Sequence, residues 1–122
     1  MEVLYSDNHI VVCIKPSGVL SAKDISGEKN MTDMLKDELG VLEVYPIHRL
    51  DREVSGVMVY ALSKIAAAKL SQDAADKDKF KKIYYAVVSG SPSEQSGAYE
   101  DLLFKDTKRS KLLSDNSIKG NI

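Results

Sequence analysis

Three short apolar runs, each bounded by turn residues, constrain the fold of this chain more than any other feature. They are Ile10-Val11-Val12-Cys13-Ile14, Val57-Met58-Val59-Tyr60-Ala61-Leu62 and Ile83-Tyr84-Tyr85-Ala86-Val87-Val88. Their length and β-branched content predict strands rather than helices. The first run leads into Lys15-Pro16-Ser17-Gly18, where proline presets φ for a turn and glycine suits its last position. The second begins at Gly56 and is apolar at nearly every position, which predicts burial on both faces. The third closes on Ser89-Gly90-Ser91-Pro92. Val3-Leu4-Tyr5 adds a short strand and Asp7-Asn8 a turn, while Pro46 argues against a long central strand over residues 44–47.

Helical patterns lie between these runs. Thr32 is the expected N-cap of a helix through Leu39, with Met34, Leu35 and Leu39 on its apolar face and Gly40 at its stop. Ser63 is the expected cap of a second helix, in which Ala67, Leu70 and Ala74 recur at helical spacing. The expected fold class is α+β, a mixed, largely antiparallel sheet with a few helices packed on it. Past Ser93 the pattern weakens. Residues 99–104 suit one more strand, and 105–122 carry Lys105, Lys108, Arg109 and Lys111 among few large apolar residues, so a poorly ordered tail with no closing element is expected there.

A chain of 122 residues reads as one small domain, and 43% hydrophobic with 29% charged residues is ordinary for a soluble globular protein. A net charge of -1 gives no global basic field, so any nucleic-acid affinity must come from local patches. The lone Cys13 cannot form an internal disulfide, which fits a reducing, cytoplasmic setting, and its apolar run makes it a small buried hydrophobe. The opening residues lack signal-peptide character, and no apolar stretch approaches the ~20 residues of a membrane span. Two histidines and one cysteine, far apart, offer no zinc spacing. No metal or cofactor is expected.

Chemistry concentrates at His48-Arg49-Leu50-Asp51-Arg52-Glu53-Val54-Ser55-Gly56, just ahead of the second apolar run. An aspartate between two arginines at the entry to buried structure has two readings. It is a structural ion pair with Arg49 or Arg52, or a functional carboxylate that the arginines keep charged. Tyr84 likewise is either a core-packing strand aromatic or a pocket residue, and Tyr85 alternates to the opposite face. Lys77, Lys79, Lys81 and Lys82 form a small basic run whose default reading is a solvated surface.

His48-Arg49-Leu50-Asp51, followed by Ser55-Gly56 and an apolar strand, resembles the signature of the RluA-type RNA pseudouridine synthases. Three more stretches agree in order: residues 7–18 with the opening strand and Lys-Pro-x-Gly turn, 63–70 with the helix after the catalytic strand, and Lys82-Ile83-Tyr84-Tyr85-Ala86 with the Lys-x-Tyr-x-Ala strand. The resemblance implies isomerisation of uridine to pseudouridine in rRNA or tRNA, without cofactor or metal. It implies Asp51 and Tyr84 as catalytic, and Arg49, Arg52 and His48 on the substrate side, with His48 holding the loop by hydrogen bonds. Tyr84 would be the platform for a uracil drawn out of its stack.

Two departures qualify it. Val54 stands where the family usually has threonine, and nothing after Gly90 resembles the family's Gly-Arg-x-His-Gln-Ile-Arg stretch, which supplies an arginine to pair with the aspartate. Residues 1–122 therefore read as the N-terminal portion of a catalytic domain with an apparently incomplete sheet. Three readings follow: a synthase completed by a second chain or copy, an inactive fragment, or a non-catalytic RNA-binding or protein-interaction module that reuses the fold. An open sheet edge predicts self-association.

Overall fold

The structure, a computed structural model, describes residues 1–98 and the strand segments 103–105 and 110–112. The chain divides into two compact units, Met1–Ile83 and Tyr84–Ile122. The first contains strands β1 (Glu2–Ser6), β2 (Ile10–Lys15), β3 (Tyr45–Pro46) and β4 (Gly56–Ala61), with helices α1 (Met31–Leu39) and α2 (Lys64–Ala74). The strands form one sheet in the order β1-β2-β4-β3 with antiparallel pairing throughout. An isolated parallel bridge joins Leu20 to Asn30 outside it. This is the expected α+β class, and β4 takes its expected central place.

Local chemistry explains the elements. Asp7 folds the β1–β2 hairpin: its Oδ1 accepts the N–H groups of His9 at 2.7 Å and Ile10 at 2.8 Å. Those bonds, with the Tyr5 hydroxyl, hold the Asp7 carboxyl below its usual range. The β2–β4 register pairs Val11 with Tyr60 and Cys13 with Met58. These four side chains share one face and are fully buried, together with Met31 and Leu35 of α1. Burying each large member contributes about 1.5–3 kcal/mol. Cys13 is the buried hydrophobe expected, and burial pushes its thiol up to about 11.

Two expectations at this level are corrected. Strand β4 is not buried on both faces, since Val57 is 58% exposed while Met58 and Tyr60 are at 0%. The apolar run is continuous, but β4 is fully covered only on the face that meets the α1 core. The cap of α1 is Asn30 rather than Thr32: the Asn30 Oδ1 accepts the Asp33 N–H at 2.9 Å, and the Thr32 hydroxyl donates to that same oxygen at 2.7 Å. Thr32 thus supports the cap from inside the first turn. Gly40 ends the helix at φ 64, a left-handed conformation that glycine adopts without steric cost. Ser63 caps α2 as expected, its Oγ accepting the Ala66 N–H at 3.2 Å.

The third apolar run departs most from expectation. Residues 83–88 form no strand, and Ile83, Tyr84, Tyr85, Val87 and Val88 are all exposed. A strand is defined by its neighbour, and none of the described strands pairs with this run. The second unit contains a hairpin of β5 (Leu103–Lys105) and β6 (Ser110–Leu112), paired antiparallel. β5 holds two residues of the strand expected over 99–104. β6 is an element the sequence reading did not anticipate, within a stretch expected to lack one. The rest of the expected poorly ordered tail over 105–122 lies outside the described residues. Among the described residues no helix is long and apolar enough to cross a membrane.

Candidate active site

The segment between β3 and β4 carries the His48–Gly56 chemistry, and the turn after β2 grips it. Ser21 is 2% exposed, and its hydroxyl serves Leu50 twice: it donates to the Leu50 carbonyl at 2.6 Å and accepts the Leu50 N–H at 2.9 Å. Behind it, the buried Tyr60 hydroxyl of β4 donates to the Ser21 carbonyl at 2.6 Å. On the far side of Asp51, the Arg52 carbonyl accepts the Gly18 N–H at 2.7 Å and the Lys15 Nζ at 2.9 Å. The Ser17 hydroxyl donates to the Glu53 carbonyl at 2.8 Å. Gly18 has φ +89, so the turn that delivers its N–H to Arg52 needs glycine's freedom.

Lys15 is fully buried, and among the described residues it has no salt-bridge partner. Its ammonium donates to three carbonyls, those of Pro16, Val19 and Arg52, at 2.9, 2.6 and 2.9 Å. All three of its protons are thereby used. Burial lowers its pKa, and the carboxylates of Glu53 and Asp51 oppose that shift. The backbone on both sides of Asp51 is therefore fixed, and the Val54 N–H bonded to the Asp51 carbonyl at 3.0 Å closes the turn. This clamp was the part of the site that sequence reasoning missed. Residues 15–18 read as a turn and Ser21 as part of a polar loop. The available signal was Lys15 closing a β-branched strand, with Ser17 and Ser21 just after it.

The charges arrange themselves differently from expectation. Arg52 does not pair with Asp51. It reaches Glu28 at 2.7 Å and Glu53 at 2.8 Å, and these bonds raise its pKa. Glu53 is its neighbour in sequence, and Glu28 is carried to it by the loop ahead of α1, so Arg52 meets both glutamates. Such exposed pairs are worth about 0–1 kcal/mol each. Among the described residues neither the Asp51 nor the Arg49 side chain makes a hydrogen bond or ion pair, and both are exposed. The reading of Asp51 as a structural ion pair with either arginine is not what the structure shows.

His48 does hold structure. Its Nε2 accepts the Val59 N–H at 3.2 Å, on the edge of β4 where β3 has already ended. It packs edge-on against Phe80 with ring centroids 5.2 Å apart. Burial, followed by the charge of Lys82, lowers its pKa. Four of the sequence-predicted residues, His48, Arg49, Asp51 and Arg52, thus share one loop of the first unit. Tyr84 opens the second unit in irregular chain, 61% exposed. What the loop offers chemically is a carboxylate with its lone pairs unspent on a backbone clamped on both sides, fit to act as nucleophile or base.

A family model described as RNA pseudouridylate synthase matches residues 9–121. The chain is 39% identical over 93 residues to tRNA pseudouridine synthase C of Pectobacterium carotovorum subsp. carotovorum, covering 74% of this chain and 24% of that protein. It is 38% identical over 97 residues to the dual-specificity RNA pseudouridine synthase RluA of Escherichia coli (strain K12), covering 80% and 44%. A solved structure, Human RNA Pseudouridylate Synthase Domain Containing 4, is 30% identical with a TM-score of 0.47, over 58% of this chain and 28% of that one. The chain spans less than half the length of these relatives. With the family match running from residue 9 almost to its last residue, this chain belongs to the RNA pseudouridylate synthase family.

Proposed function

We propose that this chain supplies the catalytic aspartate of an enzyme that isomerises uridine to pseudouridine in rRNA or tRNA. The observation that carries the reading is the Asp51 carboxylate, exposed and unspent among the described residues, between backbone segments held by Ser21, Gly18 and Lys15. The bond from ribose C1′ to uracil N1 breaks, the base turns, C1′ joins C5, and the C5 proton passes to N1. The product is an isomer, so no cofactor is consumed. Asp51 acts as nucleophile or base, and fixing its backbone lowers the orientational cost of either role. Arg49, exposed, contacts phosphate or fills the gap left by the extruded base, uses that suit a planar guanidinium. Arg52 reaches RNA with donors left over from its glutamate pairs, and His48 orients the loop. Tyr84 provides the stacking platform once residues 83–88 are ordered against a partner strand.

RNA is then the principal partner, and action on RNA together with the lone buried thiol suits the cytoplasm. The stretch of the β4 edge that no described strand pairs with supports self-association of this chain. The direct test is Asp51→Asn in a longer protein that contains this chain. Uridine conversion in a substrate RNA falls to background while the circular dichroism spectrum and melting temperature stay put. Conversion that survives the substitution overturns the assignment and leaves the non-catalytic RNA-binding reading in its place.

A further inference from the structure

The lysines of the basic run after α2 are all exposed, as their default reading expects, and three of the four line one cleft. Lys77, Lys81 and Lys82, with Phe80, Ala74 and Ala75, line a cleft of about 570 Å³ between the C-terminal end of α2 and the segment that follows it. The remaining lysine of the run, Lys79, does not line the cleft and pairs with Asp73 at 3.7 Å. Asp73 also takes Lys69 at 3.3 Å, and the Asp76 carboxylate accepts the Asp78 N–H at 2.9 Å within the local turn. None of these acids lines the cleft, and among the described residues none of the three cleft lysines makes an ion pair. Three lysines thus line one cleft whose lining holds no carboxylate.

The cleft is also tied to the aspartate loop. Phe80, in its wall, meets His48 edge-on at 5.2 Å, and His48 lies three residues before Asp51 in the chain. The Lys82 Nζ sits 5.7 Å from the centre of the same Phe80 ring. We propose that this cleft is a subsite for the RNA backbone, in which Lys77, Lys81 and Lys82 hold phosphates flanking the target uridine. The inference rests on RNA as the substrate and adds where the strand is gripped. It explains how a chain of net charge -1 draws in a polyanion: three unneutralised cations act at short range where no global field exists.

The test is binding of the 122-residue chain to a fluorescently labelled single-stranded oligouridylate, read by anisotropy across a salt series. Each phosphate neutralised on a single strand contributes about 0.7 to the slope of log K against log salt. The triple variant Lys77→Gln/Lys81→Gln/Lys82→Gln should lose about 2 from that slope, so its affinity falls roughly 20-fold less than the parent's across a fourfold rise in salt. A variant with the same charge change elsewhere, Lys29→Gln/Lys36→Gln/Lys64→Gln, should keep the parental slope to within about 0.7. Circular dichroism confirms that each variant is folded. Equal slopes for parent and cleft variant, equal losses in both triple variants, or no binding by the parent at low salt would each overturn the proposal. Because binding is the readout, a wrong role for Asp51 leaves this result intact, and a wrong cleft leaves the Asp51→Asn result intact.

Discussion

Ser21 holds the backbone of Leu50, the residue before Asp51. One hydroxyl satisfies both backbone groups of Leu50, and the Tyr60 hydroxyl bonds the Ser21 carbonyl. Replacing Ser21 with alanine leaves a part-buried N–H and C=O unpaired, a cost of about 1–3 kcal/mol. Urea unfolding should show a loss of that size, and the Leu50 amide should exchange with solvent markedly faster. An unchanged Leu50 exchange rate would mean that the loop is held without Ser21. None of this was legible in sequence, because a serine in a polar stretch gives no sign of the strand residue standing behind it. Asp51 was legible, since the His-Arg-Leu-Asp pattern marks it, but its lack of an arginine partner was not.

His48 carries a pH dependence whose sign follows from its bond. Its Nε2 accepts the Val59 N–H, so it must be unprotonated there, and protonation places two donors face to face. Its folded pKa is lowered, by burial first and by Lys82 second. The contribution to stability is therefore complete above the ordinary histidine value and lost as pH falls through the lower folded one. Asp7, Asp24 and Glu53, whose carboxyls are also lowered, lose their contributions only below the ordinary carboxylate range. Urea midpoints should fall as pH drops below the ordinary histidine value for the parent chain and stay nearly flat for His48→Gln. Parallel curves for the two proteins would remove His48 as the cause.

At the level of elements, β2 and β4 appear where their β-branched runs predicted them, and they pair along six positions. Residues 83–88 have as strong a propensity and remain irregular. Propensity decides which backbone shape is cheap, whereas a ladder of hydrogen bonds requires a second strand beside it. In this chain the amides of residues 84–88 should exchange within the dead time of a hydrogen-exchange experiment while those of Val11 and Cys13 are protected. Comparable protection in both stretches would show that the third run has found a partner. The helix boundaries carry the same lesson on a smaller scale. Gly40 announces the stop of α1 by its own backbone freedom, but Asn30 and Thr32 are both competent caps and only the folded turn selects between them.

For the whole molecule, the feature with most consequence is the edge of β4. β3 covers it only at Ala61 and Tyr60, His48 takes the Val59 N–H, and beyond that no strand lies there among the described residues. Unpaired strand edges recruit other strands. Light scattering on the isolated chain should report dimers or larger species, and the same sample should leave uridine in a test RNA unconverted. A stable monomer with turnover would show that these residues build a complete site.

By itself the sequence determined the first two strand runs, the stop of α1 at Gly40 and the family, because each of these depends on a residue and its near neighbours. Tertiary structure alone decided which runs became strands, that the turn after β2 clamps the Asp51 loop, that Arg52 serves two glutamates, and that three lysines line one cleft. Those outcomes depend on residues tens of positions apart meeting in space. Ser21 and Leu50 are bonded across 29 positions and Lys15 and Arg52 across 37. Local chemistry makes such contacts possible, but which of them form follows from the sheet register and from the burial that sets it.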